Sequence, residues 1–468
     1  MFGLPPELLF LLILCLAAAC AFEFVNGFHD TANAVATVIY TNTLRPWVAV
    51  VWSAFWNFIG VFAGGIGVAM AIVYLLPIEA LIDQDVYHGI AMIGALLISA
   101  IVWNLGTWYY GLPSSSSHTL IGSILGVGIA YSLLPDNTSG IAVNWNEAVK
   151  TGMSLIVSPF LGFTLTVFLM FLLKRFVKNK SIFKEPHKRK PPPLWIRLIL
   201  VLTCTLVSFF HGSNDGQKGV GLIMLILIGI VPVYFALDHT KDPSGISTSL
   251  VQVEQVIHKV DTTVLSQSDV QNVRKIKADI DHLKGIFASA ANIHDLPDAS
   301  KFQVRKDILL LNKETEALLD SEDVALSLAD RQLVSDSIKE MRTYTDYAPF
   351  WVIMIVALSL GLGTMVGWKR IVKTIGEKIG KEHLTYAQGA SAELMAAGVI
   401  GFSTFVFKLP VSTTHILSSG IAGSMVANRG IKNLNPGTVR NIALAWVLTL
   451  PVSMFLSGVL FLLFRWLI

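Results

Sequence analysis

Residues 112–118 read LPSSSSH and residues 409–415 read LPVSTTH, and this repeat indicates a fold built from two similar halves. A second pair of motifs precedes it, because Gly27-Phe28-His29-Asp30 has a counterpart in Gly212-Ser213-Asn214-Asp215, 185 residues later. The two hydroxyl-rich copies are 297 residues apart, so the two offsets differ by 112 residues. The second half of the chain therefore repeats the first half, with an additional segment inserted between its two motifs.

The composition is that of a membrane protein. Of the 468 residues, 53% are hydrophobic and 14% are charged, against about 25% charged in a typical soluble domain. Apolar runs of about twenty residues, the length that crosses a bilayer, recur along most of the chain. Cys15, Cys20 and Cys204 all lie in such runs. These features exclude a soluble enzyme, a disordered chain and a disulfide scaffold.

The apolar runs predict about ten to twelve membrane crossings, several of them interrupted by Gly or Pro. The first run is interpreted as the first helix rather than a signal peptide, because no Lys or Arg precedes Arg45. Breaks are expected at the glycines of the first motif pair. The candidate spans are 7–25, 31–40, 46–76, 87–110, 114–134, 147–173, 195–211, 216–236, 349–368, 384–407, 411–427 and 438–467.

Charge separates one segment from the rest. Residues 237–347 contain 13 Lys and Arg and 19 Asp and Glu, a net charge of −6, whereas the remaining residues carry +9. That positive excess is typical of cytoplasmic loops beside membrane spans, so no nucleic-acid partner is expected. The predicted organisation is transmembrane repeat 1 (1–180), a basic cytoplasmic linker (181–194), the first part of transmembrane repeat 2 (195–236), a soluble acidic helical insert (237–347) and the second part of repeat 2 (348–468).

Buried carboxylates are the first candidate site residues. Asp30 and Asp215 stand at matching repeat positions beside apolar runs, where an ionised carboxylate is costly unless it is paired. Glu23 and Glu393 are further acidic candidates. Lys218 follows Asp215 by three residues. It either neutralises Asp215 or faces an anion, and the sequence leaves both interpretations open.

The hydroxyl-rich stretches predict an anion site. Each follows a Pro and precedes a His and an apolar run, a pattern that suits the N-terminus of a helix. Two such helix ends meeting inside a membrane would direct hydroxyls, free N–H groups and positive dipole ends at one point. Ordinary helix caps at the interface are the alternative. The candidate substrate-binding hydroxyls are those of Ser114, Ser115, Ser116, Ser117, Ser412, Thr413 and Thr414, and the histidines His118 and His415 could carry a proton or orient a cap.

Gly/Pro-interrupted apolar segments at corresponding places in two halves are the best sequence indication of a transporter's substrate site. We therefore expect an all-α, multi-pass membrane protein with two repeats and broken or re-entrant helices. A Ser/His/Asp hydrolase is disfavoured, because no strained nucleophile turn is visible.

Both halves resemble the bacterial branch of the Pit/PiT inorganic phosphate transporter family, which carries a repeated G-A-N-D-type motif and a repeated P-x-S-[ST]-[ST]-H-type motif. The resemblance covers essentially the whole chain. It rests on residues 27–34, 212–219, 113–118 and 410–415, which stand in the family's order. This chain departs from the family at His29, where the family usually has Asn, and a histidine there would favour proton coupling.

The resemblance implies a secondary transporter of the bacterial inner membrane, built from two inverted-topology repeats, that imports inorganic phosphate by proton symport. A neutral complex of phosphate and Mg²⁺ or another divalent metal is implied as one form of the substrate. The family's binding positions carry over to Asp30, Asn33, Asn214, Asp215 and Lys218, and to the two hydroxyl clusters. No resident cofactor or intrinsic metal is expected, and a homodimer is compatible with this interpretation.

Three alternatives remain from the sequence. Other branches of the family use sodium as the coupling ion. A passive anion channel would not accumulate its substrate. A receptor whose function lies in the insert would be dismissed by a deletion of residues 237–347 that retained phosphate uptake.

Overall fold

The computed structural model describes residues 3–77, 80, 85–135, 137, 143–187, 190–263, 265–288, 292–321 and 323–467. Apart from one isolated β-bridge, the regular structure in these ranges is helical, so the prediction of an all-α protein is confirmed. The chain divides into two compact units. The membrane unit comprises Gly3–Ile230 and Ala348–Ile468, and the insert comprises Val231–Tyr347.

The helices of the membrane unit include several that begin at a proline, a residue suited to the first helical position because its missing N–H needs no partner there. They are α1 (Pro6–Tyr40), α2 (Pro46–Ala63), α3 (Gly67–Val73), α4 (Val86–Tyr109), α5 (Ser116–Ser132), α6 (Trp145–Phe176), α7 (Leu194–Ile230), α13 (Phe350–Thr364), α14 (Lys369–Glu377), α15 (Tyr386–Phe402), α16 (Thr413–Arg429) and α17 (Pro436–Leu467). A π-helical turn, Ser403–Phe407, extends α15.

Seven helices of the described ranges are long and apolar enough to cross a membrane: α1, α2, α4, α6, α7, α15 with its π-helical turn, and α17. Helix α13 is apolar but shorter. The chain is therefore a multi-pass membrane protein, as its composition predicts.

Two predicted helix breaks are wrong. The segments 7–25 and 31–40 belong to one continuous helix, α1, and the segments 195–211 and 216–230 belong to α7. Asp30 and Asp215 therefore lie inside continuous helices rather than in loops.

The glycines that suggested those breaks instead allow helix backbones to approach each other. A Cβ atom at Gly27 would lie 2.3 Å from the carbonyl oxygen of Leu360, and one at Gly212 would lie 2.1 Å from that of Asn57. Gly60 approaches the backbone of α7 in the same way, because a Cβ atom there would lie 2.1 Å from the Phe209 carbonyl oxygen. Small residues at such crossings are typical of helix packing in membranes.

The two hydroxyl-rich stretches begin helices α5 and α16, as the sequence predicts. The Ser115 side chain accepts a hydrogen bond from the His118 backbone N–H, and the Ser412 side chain accepts one from the His415 N–H. Both helices have 17 residues, and most of their residues are buried. Each therefore starts inside the protein, with its first turn beside other helices.

The insert is a small helical bundle. Its helices are α8 (Pro232–Phe235), α9 (Ser244–Ile257), α10 (Gln267–Phe287), α11 (Asp298–Asp320) and α12 (Leu328–Arg342). Apolar residues at helical spacing on α9 and α10 are buried in its core, among them Val253, Val256, Val273, Ile276, Ile280 and Leu283.

The two chain segments that open and close the insert lie side by side. The Asp238 N–H donates to the Tyr344 carbonyl oxygen at 2.8 Å. Arg305 of α11 is 1% exposed, and its Nη1 donates to the carbonyl oxygens of Ala236 at 3.1 Å and Thr345 at 2.5 Å. A buried guanidinium is stable only when hydrogen-bonded, so these contacts hold both segments against α11.

Candidate functional site

The two aspartates of the repeated motif lie close together inside the membrane unit. Asp30 of α1 is 1% exposed and Asp215 of α7 is fully buried. His211, one turn before Asp215, lies between them: its Nε2 is 3.4 Å from Asp215 Oδ2 and 3.9 Å from Asp30 Oδ2. Ligand atoms of all three side chains lie within 4.8 Å of one another, so they could hold a cation together.

Hydroxyls from the first turns of α5 and α16, the two half-helices that begin inside the protein, converge on these carboxylates. Ser116, in the first turn of α5, donates to Asp30 Oδ2 at 2.9 Å. Thr414 of α16 donates to Asp30 Oδ1 at 2.5 Å, and Thr413 donates to Asp215 Oδ2 at 3.4 Å. The structure thus brings together the predicted acidic and hydroxyl groups, and aims the N-terminal ends of α5 and α16 at the same place.

The contacts follow the sequence repeat. Ser116 and Thr413 are separated by the 297-residue offset, and the aspartates that they contact are separated by the 185-residue offset. Equivalent residues of the two halves therefore make equivalent hydrogen bonds.

Lys218 lies against Asp215. Its Nζ is 2.6 Å from Asp215 Oδ1, 2.5 Å from Ser117 Oγ and 2.8 Å from the Val411 carbonyl oxygen. The lysine is 2% exposed. Burying an ammonium is costly unless it is paired and hydrogen-bonded, and both conditions are met here.

Asn214 fixes the extended segment that precedes α16. Its Nδ2 donates to Thr404 Oγ1 at 2.9 Å and to the Leu409 carbonyl oxygen at 3.2 Å, while its Oδ1 accepts from the Val411 N–H at 3.1 Å. The amide therefore positions the Val411 carbonyl that Lys218 contacts, and the described contacts use it as a support for the site.

The remaining hydroxyls of the clusters bond elsewhere. Ser114 Oγ is 2.7 Å from Thr449 Oγ1 of α17. Ser115 and Ser412 cap their helices. His118 and His415, which the sequence raised as proton carriers or cap-orienting groups, lie against each other with ring centroids 4.5 Å apart and ring planes tilted by 36°. His118 Nδ1 also lies 2.8 Å from Ser115 Oγ, an arrangement suited to orienting the cap.

The other predicted acidic residues are also buried, Glu23 on α1 with Asp30 and Glu393 on α15. Glu23 accepts a 3.3 Å hydrogen bond from Asn26 on Oε2, and Oε1 has no hydrogen-bond partner among the described residues. Glu393 of α15 accepts a 2.5 Å hydrogen bond from Thr203 of α7, and its Oε1 is likewise without a partner in the described ranges. A cation or proton would satisfy either carboxylate.

Two further predicted residues flank the first aspartate. His29 Nδ1 is 3.2 Å from Asp30 Oδ1, and its Nε2 is 3.3 Å from Thr107 Oγ1 of α4. The side chain of Asn33 lies outside the described residues.

The sequence analysis missed His211 and Asn57. His211 Nδ1 donates to Asn57 Oδ1 at 2.8 Å, and Asn57 Nδ2 donates to Thr364 Oγ1 at 3.1 Å. This chain of contacts holds the imidazole between the aspartates. A signal for His211 was present, since a residue four positions before Asp215 lies on the same face of a helix.

These groups can bind an anion and a cation together. Hydroxyls at helix N-termini suit an oxyanion, whereas two buried carboxylates would repel one unless a cation or a proton intervenes. Described oxygen and nitrogen ligands for both charges lie within a few ångströms of each other, which is what coupling the movement of two ions requires.

Comparisons with known proteins find similar chains over nearly the whole length. A family model described as the phosphate transporter family matches residues 26–457. The low-affinity inorganic phosphate transporter PitB of Escherichia coli (strain K12) is 41% identical over 483 residues, covering 96% of each chain. A probable low-affinity inorganic phosphate transporter of Bacillus subtilis (strain 168) is 30% identical over 453 residues, covering 97% of this chain and 96% of its own.

One solved structure has the same fold over nearly the whole length. It is titled the sodium-dependent phosphate transporter, with a TM-score of 0.54, 19% sequence identity and coverage of 98% of this chain and 100% of that chain. At this identity the likeness concerns the fold alone.

Proposed function

Because the chain belongs to the phosphate transporter family, we propose that it imports inorganic phosphate across the cell membrane by symport with protons and alternating access. It is a transporter rather than an enzyme. The observation that carries the coupling proposal is the buried pair Asp30 and Asp215, each of which accepts hydroxyl hydrogen bonds from the first turn of a half-helix.

Proton coupling follows from the competition for those hydroxyls. While Asp30 is ionised, Ser116 and Thr414 donate to it and are unavailable to a second anion. When Asp30 takes up a proton, it no longer needs both donors, and the hydroxyls can turn to phosphate oxygens. Protonation also removes a negative charge beside the substrate, so proton and phosphate would bind together.

The same charges favour a neutral form of the substrate. Phosphate carries one or two negative charges near neutral pH, and a complex with Mg²⁺ or another divalent metal carries none or fewer. Such a complex would present a cation to the cluster of Asp30, His211 and Asp215. In this proposal the metal is cargo that enters with phosphate.

Sodium symport is the second candidate. Carboxylate, hydroxyl and carbonyl oxygens surround the site, and oxygen ligands of this kind also coordinate sodium in transporters with interrupted helices. A passive channel is less compatible with the site, since its charged groups are fully enclosed by protein.

Uptake of labelled phosphate into liposomes containing the purified protein tests the proposal. Separate pH and sodium gradients are imposed, each with and without Mg²⁺, with Asp215→Asn as the matched inactive control. Accumulation driven by the pH gradient and increased by Mg²⁺ is the expected result. Accumulation driven by the sodium gradient alone would show that sodium, and not the proton, is the coupling ion. Equilibration of phosphate without accumulation would favour a channel.

A further inference from the structure

The two halves of the site differ at one charged position. Three residues after Asp215 the second repeat has Lys218, whereas three residues after Asp30 the first repeat has Asn33. We propose that the Lys218 ammonium is a tethered cation that occupies the place of a mobile coupling cation in the second half of the site, and so reduces by one the number of cations carried with each phosphate. This inference rests on the proposed cation-coupled transport.

The contacts of Lys218 are those of a bound cation. A carboxylate, a hydroxyl and a backbone carbonyl, from Asp215, Ser117 and Val411, lie 2.5 to 2.8 Å from Nζ. Carboxylates and carbonyls beside interrupted helices are the groups that coordinate alkali cations in transporters. A lysine ammonium is a compact point charge, so it can replace such an ion at the same place.

These contacts leave no hydrogen bond for the substrate. An ammonium has three N–H donors, and the three oxygens described above use all of them. A phosphate oxygen would have to displace one of these buried acceptors. Lys218 is therefore assigned to neutralising Asp215 rather than to binding phosphate, which resolves the two interpretations that the sequence left open.

The first half of the site has a carboxylate and a hydroxyl that match those of the second half, without the lysine. Thr414 is the 297-residue counterpart of Ser117, and it donates to Asp30 as Ser117 contacts the Lys218–Asp215 pair. Among the described residues, no Lys or Arg forms an ion pair with Asp30, and its nearest basic neighbours are the imidazole rings of His29 and His211. Asp30 therefore has no tethered cation among the described residues, and a mobile cation or proton can bind and leave beside it.

A tethered cation changes the energetics of transport. It neutralises Asp215 in every step of the cycle, but it never dissociates into the cytoplasm and so adds nothing to the driving force. The substrate gradient that a symporter can sustain rises with the number of cations that it moves. The lysine therefore lowers the phosphate gradient that the transporter can sustain. It also lowers the number of mobile cations that must bind to fill the site.

The decisive variant is Lys218→Asn, which gives the second repeat the residue of the first. Lys218→Arg keeps the positive charge, and Lys150→Asn is the matched surface control, since the Lys150 side chain is 63% exposed. Equilibrium binding of ²²Na⁺ and the cation dependence of thermal unfolding are measured on the purified proteins, in sodium, lithium or choline chloride at several pH values. The number of cations moved per phosphate is measured in liposomes.

We expect Lys218→Asn to bind one additional cation per chain, to be stabilised against unfolding by that cation, and to move one more cation per phosphate. The Lys150 variant should match the wild type, and Lys218→Arg, which keeps the positive charge, should gain no additional cation site. Unchanged cation binding by Lys218→Asn, or loss of phosphate binding alone, would overturn the proposal. So would a variant that stays unfolded in every cation and at every pH, because the vacated ligands would then not accept an ion.

The proposed function and this inference can fail separately. Cation binding by the purified variant requires no transport. If wild-type liposomes accumulate no phosphate under any gradient, the symport proposal fails while the additional cation site remains observable.

Discussion

Replacing Gly212 by Ala is a direct test of how the site is held. Gly212 lies where α7 crosses α2, and an added Cβ would lie 2.1 Å from the Asn57 carbonyl oxygen and 2.8 Å from its carbonyl carbon and Cα. Atoms that are not bonded to each other do not approach so closely, and the neighbours here are backbone. The two helices must therefore separate by about 1 Å, in a protein interior that is packed as closely as an organic crystal.

The separation acts on the functional site through one contact. Asn57 holds His211 at 2.8 Å, and His211 lies between Asp30 and Asp215. Overpacking of this kind costs about 1–3 kcal/mol of stability. A displacement of about 1 Å at a reacting or binding group can reduce a rate up to about 100-fold. We therefore expect Gly212→Ala to unfold at a lower temperature and to lose at least about tenfold in phosphate uptake.

The assay compares Gly212→Ala with Gly152→Ala. A Cβ at Gly152, in α6, would have no heavy atom within 4 Å, so the control should be neutral or stabilised by up to about 1 kcal/mol. Thermal unfolding of the purified proteins and phosphate uptake into liposomes are measured side by side. If Gly212→Ala unfolds and transports like the control, the close crossing of α7 and α2 does not position His211 and the reasoning fails.

Two further predictions concern the substrate site and the insert. Thr414→Val removes a hydroxyl that would turn from Asp30 to phosphate, and a hydrogen bond to a charged group contributes about 1.5–3 kcal/mol. The KM for phosphate should rise about tenfold or more, while Thr414→Ser, which keeps the hydroxyl, should stay near the wild-type value; equal KM values for the Val and Ser variants would exclude a contact with phosphate. In the insert, burial, with added repulsion from Glu314 and Asp307, raises the pKa of Asp279 to about 6. The native insert thus holds this proton more tightly than the unfolded chain, so the contribution is complete below about pH 4 and is lost as the pH rises through about 6. Asp279→Asn should increase hydrogen-exchange protection of α10 in the full-length protein at pH 8 and change it little at pH 4; equal protection in both proteins at pH 8 would refute the assignment.

Much of the fold could be predicted because its signals are local. Apolar runs of membrane-spanning length and the Pro-hydroxyl starts of α5 and α16 each depend on a few neighbouring residues. The caps at Ser115 and Ser412 are where the sequence predicts them. The motif repeat likewise required only counting along the chain.

The continuity of α1 and α7 could not be predicted in this way. A glycine at position 27 or 212 is compatible both with the end of a helix and with the close approach of another backbone. Only the position of the partner helix distinguishes the two structures. Leu360 is the partner of Gly27 and Asn57 is the partner of Gly212, and they lie 333 and 155 residues away in sequence. Local propensity therefore predicted a break where tertiary packing requires a smooth helix.

The functional side chains could be identified from the sequence: two aspartates and two hydroxyl clusters at matched repeat positions, and a lysine in the second repeat. Tertiary packing sets the contacts between these side chains. It places Thr414 of the second repeat on Asp30 of the first, and Ser117 of the first repeat on Lys218 of the second. Such cross-repeat contacts follow from the packing of long helices around buried charges, whose cost in a membrane is met only when every donor finds an acceptor on a neighbouring helix.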